Sequence, residues 1–174
     1  MMSTHNQRRI RLPLAAASIV LLSACASPAP DGVPCTILQQ HGVCVAVPVH
    51  DDAHEDEAKA LAPAPEGTGY LYITRPYAQQ RSTKAQVFVD GVLLAELGPK
   101  TFARIKLRPG AHTVKLTADK IDAVSISVDL QSAVFLEYQI AEHVFSTVAG
   151  IKAVGRQRAK ETIQPLDLVV EKVE

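Results

Sequence analysis

Apolar and polar residues alternate through much of the second half of the chain. In "AVSISVDL", one face of an extended strand carries Val124, Ile126, Val128 and Leu130, and the three residues between them are polar. The same period of two runs through "FARIKLRPGAHTVKL" and "AVFLEYQIA", where it places Val134, Leu136, Tyr138 and Ile140 inward. Because successive side chains of a strand point to opposite faces, this pattern predicts strands that bury one face.

Turn signals separate these segments. Asp90-Gly91 divides "QVFVDGVLLAEL", and both residues tolerate the positive φ of a two-residue hairpin turn. Pro109-Gly110 precedes His112, which we expect to hydrogen-bond that turn. "YLYIT", "HVFSTVAGI" and "LDLVVEKV" are further strand candidates, and "RQRAKETI" resembles a short helix. We therefore predict an all-β domain over residues 67–174, an antiparallel β-sandwich of about seven or eight short strands with a short C-terminal helix.

The segment before this domain has no sustained period. Residues 25–66 include "SPAP" and the stretch "HDDAHEDEAKALAPAPEGTG", which is rich in acidic residues, Ala and Pro. Such a composition predicts a disordered, flexible tether. A short helix around Glu55 to Leu61 is the local alternative, and Pro63 would end it.

The N-terminus has the features of a signal peptide over residues 1–24. Arg8, Arg9 and Arg11 precede the apolar run "LPLAAASIVLL", whose length is typical of the hydrophobic region of a signal peptide. At about 1.5 Å per residue, this run is too short to cross a hydrocarbon layer of about 30 Å as a permanent helix.

"LSAC", Leu22 to Cys25, resembles the lipobox of bacterial lipoproteins at all four positions. The resemblance implies cleavage before Cys25, attachment of lipid to its thiol, and acylation of the new amino terminus by chains such as palmitate. In lipoproteins of this kind, the lack of Asp directly after the lipidated cysteine implies transfer to the outer membrane. Ala26 occupies that position here, so the resemblance implies an outer-membrane lipoprotein on the periplasmic face. The alternative is an ordinary signal peptidase site near "SACA".

Charge gives little indication of a partner. Cleavage before Cys25 would remove three of the 18 basic residues and none of the 18 acidic ones, which leaves 15 basic residues in a slightly acidic protein. We therefore expect no nucleic-acid partner. Aromatic residues make up 5% of the chain and Trp is absent, so few stacking surfaces exist for single strands.

Two groups of residues before the domain carry candidate chemistry. Cys35 and Cys44 remain as a pair once Cys25 carries lipid, and a disulfide between them would contribute about 2.5–3 kcal/mol in an oxidising compartment. His50, Asp52, His54 and Glu55 supply nitrogen and oxygen donors that zinc or copper accepts. A solvated linker is the alternative interpretation of that acidic run.

"VFVDGVLLAEL" followed by "LRPGAHTVKL" is similar to the PEGA-type repeat, and together with "GTGYLYITRP" it resembles a family of small bacterial lipoproteins of unknown function. The resemblance implies a β-sandwich and names no activity. We expect a non-catalytic binding or assembly module with no catalytic residues and no cofactor. Its partner would be an envelope protein or a peptidoglycan component. Arg75 and Tyr77, after the first strand, are the candidate partner-binding residues; closing the strand is the alternative role of Arg75.

Overall fold

The computed structural model describes residues 32–37 and 40–172, with side chains from Cys44 onwards. The predicted signal peptide and Cys25 lie outside the described residues. Two helices are present in the described part, α1 (Asp52–Lys59) and α2 (Arg156–Ile163). The strands there are β1 (Gly32–Ile37), β2 (Gln40–Val45), β3 (Gly69–Arg75), β4 (Ala85–Val89), β5 (Val92–Leu97), β6 (Thr101–Leu107), β7 (Gly110–Ala118), β8 (Ile121–Leu130), β9 (Ala133–Glu142), β10 (Thr147–Ala153) and β11 (Asp167–Leu168).

The strands form two main sheets and a separate β1–β2 hairpin. One sheet has five strands in the order β10-β9-β3-β6-β11, and the other has four in the order β5-β4-β7-β8. Most neighbours are antiparallel, although β3 runs parallel to β9 and β6 runs parallel to β11. The sheets pack face to face, so the predicted all-β sandwich with a short C-terminal helix is confirmed.

Apolar side chains from both sheets fill the space between them. Leu71 and Ile73 of β3 meet Val87 and Leu116 of the opposite sheet in one fully buried cluster. The inward positions predicted from the period of two belong to this core or line its edge. In β9 they are Leu136, Tyr138 and Ile140, which are buried, and Val134, which is half-buried.

A third layer, absent from the prediction, covers the outer face of the five-stranded sheet. Tyr72, Phe102 and Phe135 point to that face, and Ala58 and Leu61 from the first helix region lie in the same buried cluster. The helix α2 adds Ala159 and Ile163 to that cluster. The central strands of the five-stranded sheet are therefore buried on both faces. Neither helix in the described residues has the length and apolar character needed to span a bilayer.

The segment after β2 is part of the domain, which corrects the prediction of a tether extending to residue 66. Val45 N donates to Arg81 O at 2.7 Å, and His50 N donates to Leu168 O at 2.8 Å. Val49 forms an antiparallel bridge with Val169. The tether prediction was wrong here because backbone hydrogen bonds attach this segment to the domain. Such bonds do not depend on side chains, so they produce no periodic pattern of apolar residues in the sequence.

The helix α1 lies against the sheet, as its buried side chains indicate. Ala58 and Leu61 are buried, and Glu55 Oε2 accepts a hydrogen bond from Leu168 N at 2.9 Å. The helix ends at Lys59, before Pro63, and Leu61 takes a left-handed φ of 53° that turns the chain away. The alternative short helix was therefore correct in place, beginning three residues earlier than predicted.

The segments that connect the strands lie at the two opposite ends of the sandwich. The strands β3, β5, β7 and β9 finish at one end, which carries the segments 76–84, 98–100, 119–120 and 143–146 and which we call the Phe145 end. The turns 90–91, 108–109 and 131–132 lie at the opposite end, which we call the His112 end.

A hydrogen-bonded histidine joins two turns at the His112 end. His112 Nδ1 lies 2.6 Å from Asp90 Oδ2, and its Nε2 lies 2.8 Å from Arg108 O. The predicted contact of His112 with the Pro109-Gly110 turn is confirmed. The hydrogen bond that His112 donates to Asp90, and then the one that it donates to Arg108 O, raise the pKa of His112. The bond to Asp90 also lowers the pKa of Asp90.

We expect His112 to make the stability of the domain depend on pH. Both ring nitrogens face acceptors, and only the imidazolium carries a proton on each. Since its pKa is raised in the folded state, the contribution is complete below the unfolded value of about 6.5 and is lost as pH rises through the folded value. It is also lost in acid, as pH falls from about 4 through the lowered pKa of Asp90.

Urea unfolding of wild type and His112→Gln at pH 5.5 and pH 8.5 measures this effect. The substitution should cost about 0.5–1 kcal/mol more at pH 5.5 than at pH 8.5, the net value of one hydrogen bond. His143→Gln, exposed at the opposite end, is the control for the loss of an exposed histidine. Equal costs of His112→Gln at both pH values would contradict the prediction.

Candidate functional site

The Phe145 end is organised by a buried arginine. Arg75 is the last residue of β3, points into the space between the sheets after Leu71 and Ile73, and is 2% exposed. Its Nη1 donates to Thr83 O at 2.6 Å and to Leu97 O at 3.2 Å. Its Nη2 donates to Gln79 O and Gln80 O, both at 2.9 Å, so one guanidinium ties the 76–84 segment to β5.

The burial of Arg75 corrects its predicted role in partner binding. Loss of water lowers the pKa of its guanidinium to about 10, so the side chain remains a cation at neutral pH. Carbonyl dipoles replace its hydration shell, and the side chain is inaccessible to a partner. Arg75 is therefore a structural residue that closes the strand, which was the alternative role.

Tyr77 fits the predicted exposed position better than Arg75. Its side chain is 40% exposed and lines a shallow depression of about 400 Å³ with Gln79 and the end of β9. Glu142 Oε1 accepts hydrogen bonds from both the backbone and the side-chain nitrogen of Gln80, at 3.1 and 3.0 Å. These bonds fix the 76–84 segment beside the β9–β10 turn.

The β9–β10 turn exposes two apolar side chains that the sequence analysis did not single out. His143 N donates to Ser146 O at 2.8 Å and closes the turn. Between them, Val144 is 88% exposed and Phe145 is 99% exposed. The available signal was "HVFS" itself, because a hairpin turn ordinarily carries Gly, Asn or Asp where this one carries Val-Phe.

A polar cavity of about 830 Å³ opens at the same end. It is bounded by the 80–84 segment, the β7–β8 turn and the start of β10, and the exposed cations Lys84 and Lys120 lie on its rim with Asp119. Together with the Tyr77 depression and the Val144–Phe145 turn, it makes this end a surface of mixed polar and apolar character. Such a surface can bind a macromolecular partner.

The predicted metal ligands are not brought together. Asp51 caps α1 by accepting from His54 N at 3.0 Å, and its Oδ1 lies 2.7 Å from His54 Nδ1. The rings of His50 and His54 stack with centroids 5.2 Å apart. Within residues 32–37 and 40–172, no group of three or more His, Cys, Asp or Glu side chains is arranged to hold a metal ion. This corrects the predicted set of His50, Asp52, His54 and Glu55.

The structure describes the backbone of Cys35 and both the backbone and the side chain of Cys44. Cys44 is buried and disulfide-bonded. In the backbone register of the β1–β2 hairpin, Cys35 pairs with Gly42 and Cys44 pairs with Val33. The side chain of Cys35 lies outside the described residues, and a disulfide between Cys35 and Cys44 stays a prediction. The predicted lipidation of Cys25 also lies outside them.

Two buried polar groups lie on the helix-covered face of the five-stranded sheet. Glu137 is fully buried, with Lys152 Nζ 3.3 Å from Oε1 and Arg158 Nε 3.5 Å from Oε2. The second group is the Tyr72 hydroxyl, which lies near Arg104. Among the buried side chains that the structure describes, Glu137 Oε2 makes no hydrogen bond. The two cations offset the carboxylate charge and join α2 to β9 and β10, which is a structural role.

The accessible groups therefore concentrate at the Phe145 end, where Tyr77, the polar cavity and the apolar turn lie together. Searches with this chain found no matching protein-family model, no matching curated protein and no matching solved structure. The functional interpretation accordingly depends on the sequence and on this geometry.

We expect Arg75→Met to destabilise the protein by about 2–4 kcal/mol. The change leaves carbonyl groups from the 79–83 segment and Leu97 without their buried donor, and each unsatisfied buried group costs about 1–3 kcal/mol, less where the loop relaxes into water. Urea unfolding measures the difference. Arg81→Met, a change of the same kind at an exposed position of the same segment, should stay within about 0.5 kcal/mol of wild type. Similar stabilities of the two variants would refute the role of Arg75.

Proposed function

We propose that this protein is a lipid-anchored component of a bacterial cell envelope whose β-sandwich is a non-catalytic binding or assembly module. The observation that carries the proposal is "LSAC", Leu22 to Cys25, directly after an apolar run preceded by three arginines. Lipid on Cys25 would hold the domain at a membrane, with the outer membrane and its periplasmic face as the proposed site.

The disulfide chemistry of the chain supports an address outside the cytoplasm. Cys44 is disulfide-bonded, and disulfides persist mainly in oxidising compartments such as the periplasm. The resemblance to PEGA-type repeats and to small bacterial lipoproteins of unknown function agrees with a module that binds rather than catalyses.

The Phe145 end is the proposed partner surface, with Tyr77 in place of Arg75 as its candidate contact. An envelope protein or a peptidoglycan component is the proposed partner, because both are present where an anchored periplasmic domain would lie. The metal-binding alternative is not retained as a second proposal, since the described His and acidic side chains cap and brace α1.

Fatty-acid labelling tests the anchor. Cells grown with a labelled fatty acid should yield labelled wild-type protein and unlabelled Cys25→Ser, because the thiol and the new amino terminus are the acceptors. Cys35→Ser is the matched control and should keep the label. Equal labelling of wild type and Cys25→Ser would overturn the lipoprotein assignment.

Site-specific photocrosslinking tests the partner surface. A photoreactive phenylalanine analogue at Tyr77 should crosslink in cells to an envelope protein or a peptidoglycan fragment. The same analogue at Gln131, exposed at the His112 end, is the matched control and should give at least tenfold less of that product. Crosslinks absent from both positions, or equal at both, would remove the basis for a binding surface at this end.

A further inference from the structure

We propose that the Val144–Phe145 turn is a membrane contact, which inserts into the interface of the same bilayer that holds the lipid on Cys25. The inference rests on the proposed lipid anchor and adds a second point of attachment made by the folded domain. Two points of attachment restrict rotation of the domain relative to the membrane, so the turn orients the sandwich.

The turn has the form of an insertion element. Val144 and Phe145 are 88% and 99% exposed, so nearly all their apolar surface is in water in the isolated domain. Val148, the second residue of β10, is 52% exposed and adds to the exposed apolar surface near the turn. Removal of such side chains from water into an apolar layer is favourable in proportion to the area buried.

The anchored end of the chain lies at the same end of the domain. Gly32 pairs with Val45 across the β1–β2 hairpin, and Val45 N donates to Arg81 O at 2.7 Å. Gln80, the preceding residue, donates to Glu142, which begins the β9–β10 turn. Since paired strand residues lie about 5 Å apart, these steps place Glu142 within roughly 20 Å of Gly32.

The length of chain between the lipid and the domain is short. Residues 26–31 separate Cys25 from Gly32, and a fully extended chain of this length reaches at most about 25 Å. Gly32 is therefore confined to that distance from the lipidated cysteine. Because Gly32 lies at the Phe145 end, the chain from Cys25 enters the domain at the end that carries the apolar turn.

Charge at this end favours insertion through apolar contact over attraction to anionic headgroups. The exposed cations Arg81, Lys84 and Lys120 are accompanied by exposed acidic residues at 119 and 142. Because the positive and negative charges nearly balance, this end has little net electrostatic attraction to anionic lipids, and salt has little attraction to screen. We therefore expect the contact to depend weakly on ionic strength.

Tryptophan fluorescence can locate the turn, since the natural chain contains no Trp. Lipidated Phe145→Trp protein would be reconstituted into vesicles of phosphatidylethanolamine and phosphatidylglycerol, with and without brominated acyl chains that quench indole. Gln131→Trp, at the exposed turn of the opposite end, is the matched control. Phe145 packs against almost nothing, so its replacement leaves the core intact.

Brominated lipid should quench the Phe145→Trp indole at least threefold more than the Gln131→Trp indole, with little change between about 0.1 and 0.5 M salt. Adding Val144→Ser to Phe145→Trp should reduce the quenching. Lipid labelling of the same samples keeps the two proposals separate. Labelled protein with equal quenching at both positions would overturn the membrane contact and leave the anchor standing.

Unlabelled protein whose Phe145→Trp indole is still quenched selectively would overturn the anchor and support the contact, whereas unlabelled and unquenched protein would overturn both. A second copy of the chain or an envelope protein on the turn is the other outcome. Shielding of the Phe145→Trp indole from the aqueous quencher iodide, without quenching by brominated lipid, would reveal that outcome and contradict the membrane contact.

Discussion

The arrangement of the Phe145 end depends on a buried cation whose hydrogen-bond partners among the described residues are backbone carbonyl oxygens. The Arg75 guanidinium lies where the space between the sheets meets the crossover from β3 to β4, and carbonyl groups from that crossover and from β5 surround it. Removal of a charge from water is costly, and here several oriented peptide dipoles offset that cost. The requirement for all these acceptors fixes the path of the 76–84 segment, and with it the positions of Tyr77 and Gln80.

The outer layer sets a second constraint. A sheet in a two-layer sandwich ordinarily keeps one face in water, yet here α1, α2 and the C-terminal segment cover the aromatic outer face of the five-stranded sheet. The ion pairs of Glu137 with Lys152 and Arg158 lie at the margin of that layer. The domain therefore has two apolar cores that share one sheet, and residues on both sides of the same strand are under packing constraint.

Most strands from β3 to β10 could be predicted because they follow a period of two or end at a recognisable turn, as at Asp90-Gly91. The outer layer could not, because α1 contributes few buried side chains from an acidic segment whose composition is that of a linker. Arg75 was misassigned for a related reason. Its partners are backbone carbonyls from separate segments, and a carbonyl group has no signature in the sequence. The exposed turn with Val144 and Phe145 was missed because the sequence "HVFSTVAGI" was predicted to be a continuous strand.

The contact between the two ends of the described chain has a consequence for biogenesis. Glu55 accepts from Leu168, 113 residues away, and Val49 bridges Val169, so the outer layer closes only after residues 168 and 169 have emerged. Until then Tyr72, Phe102 and Phe135 lack their cover. A chain truncated near residue 165 would present this aromatic surface to chaperones and proteases.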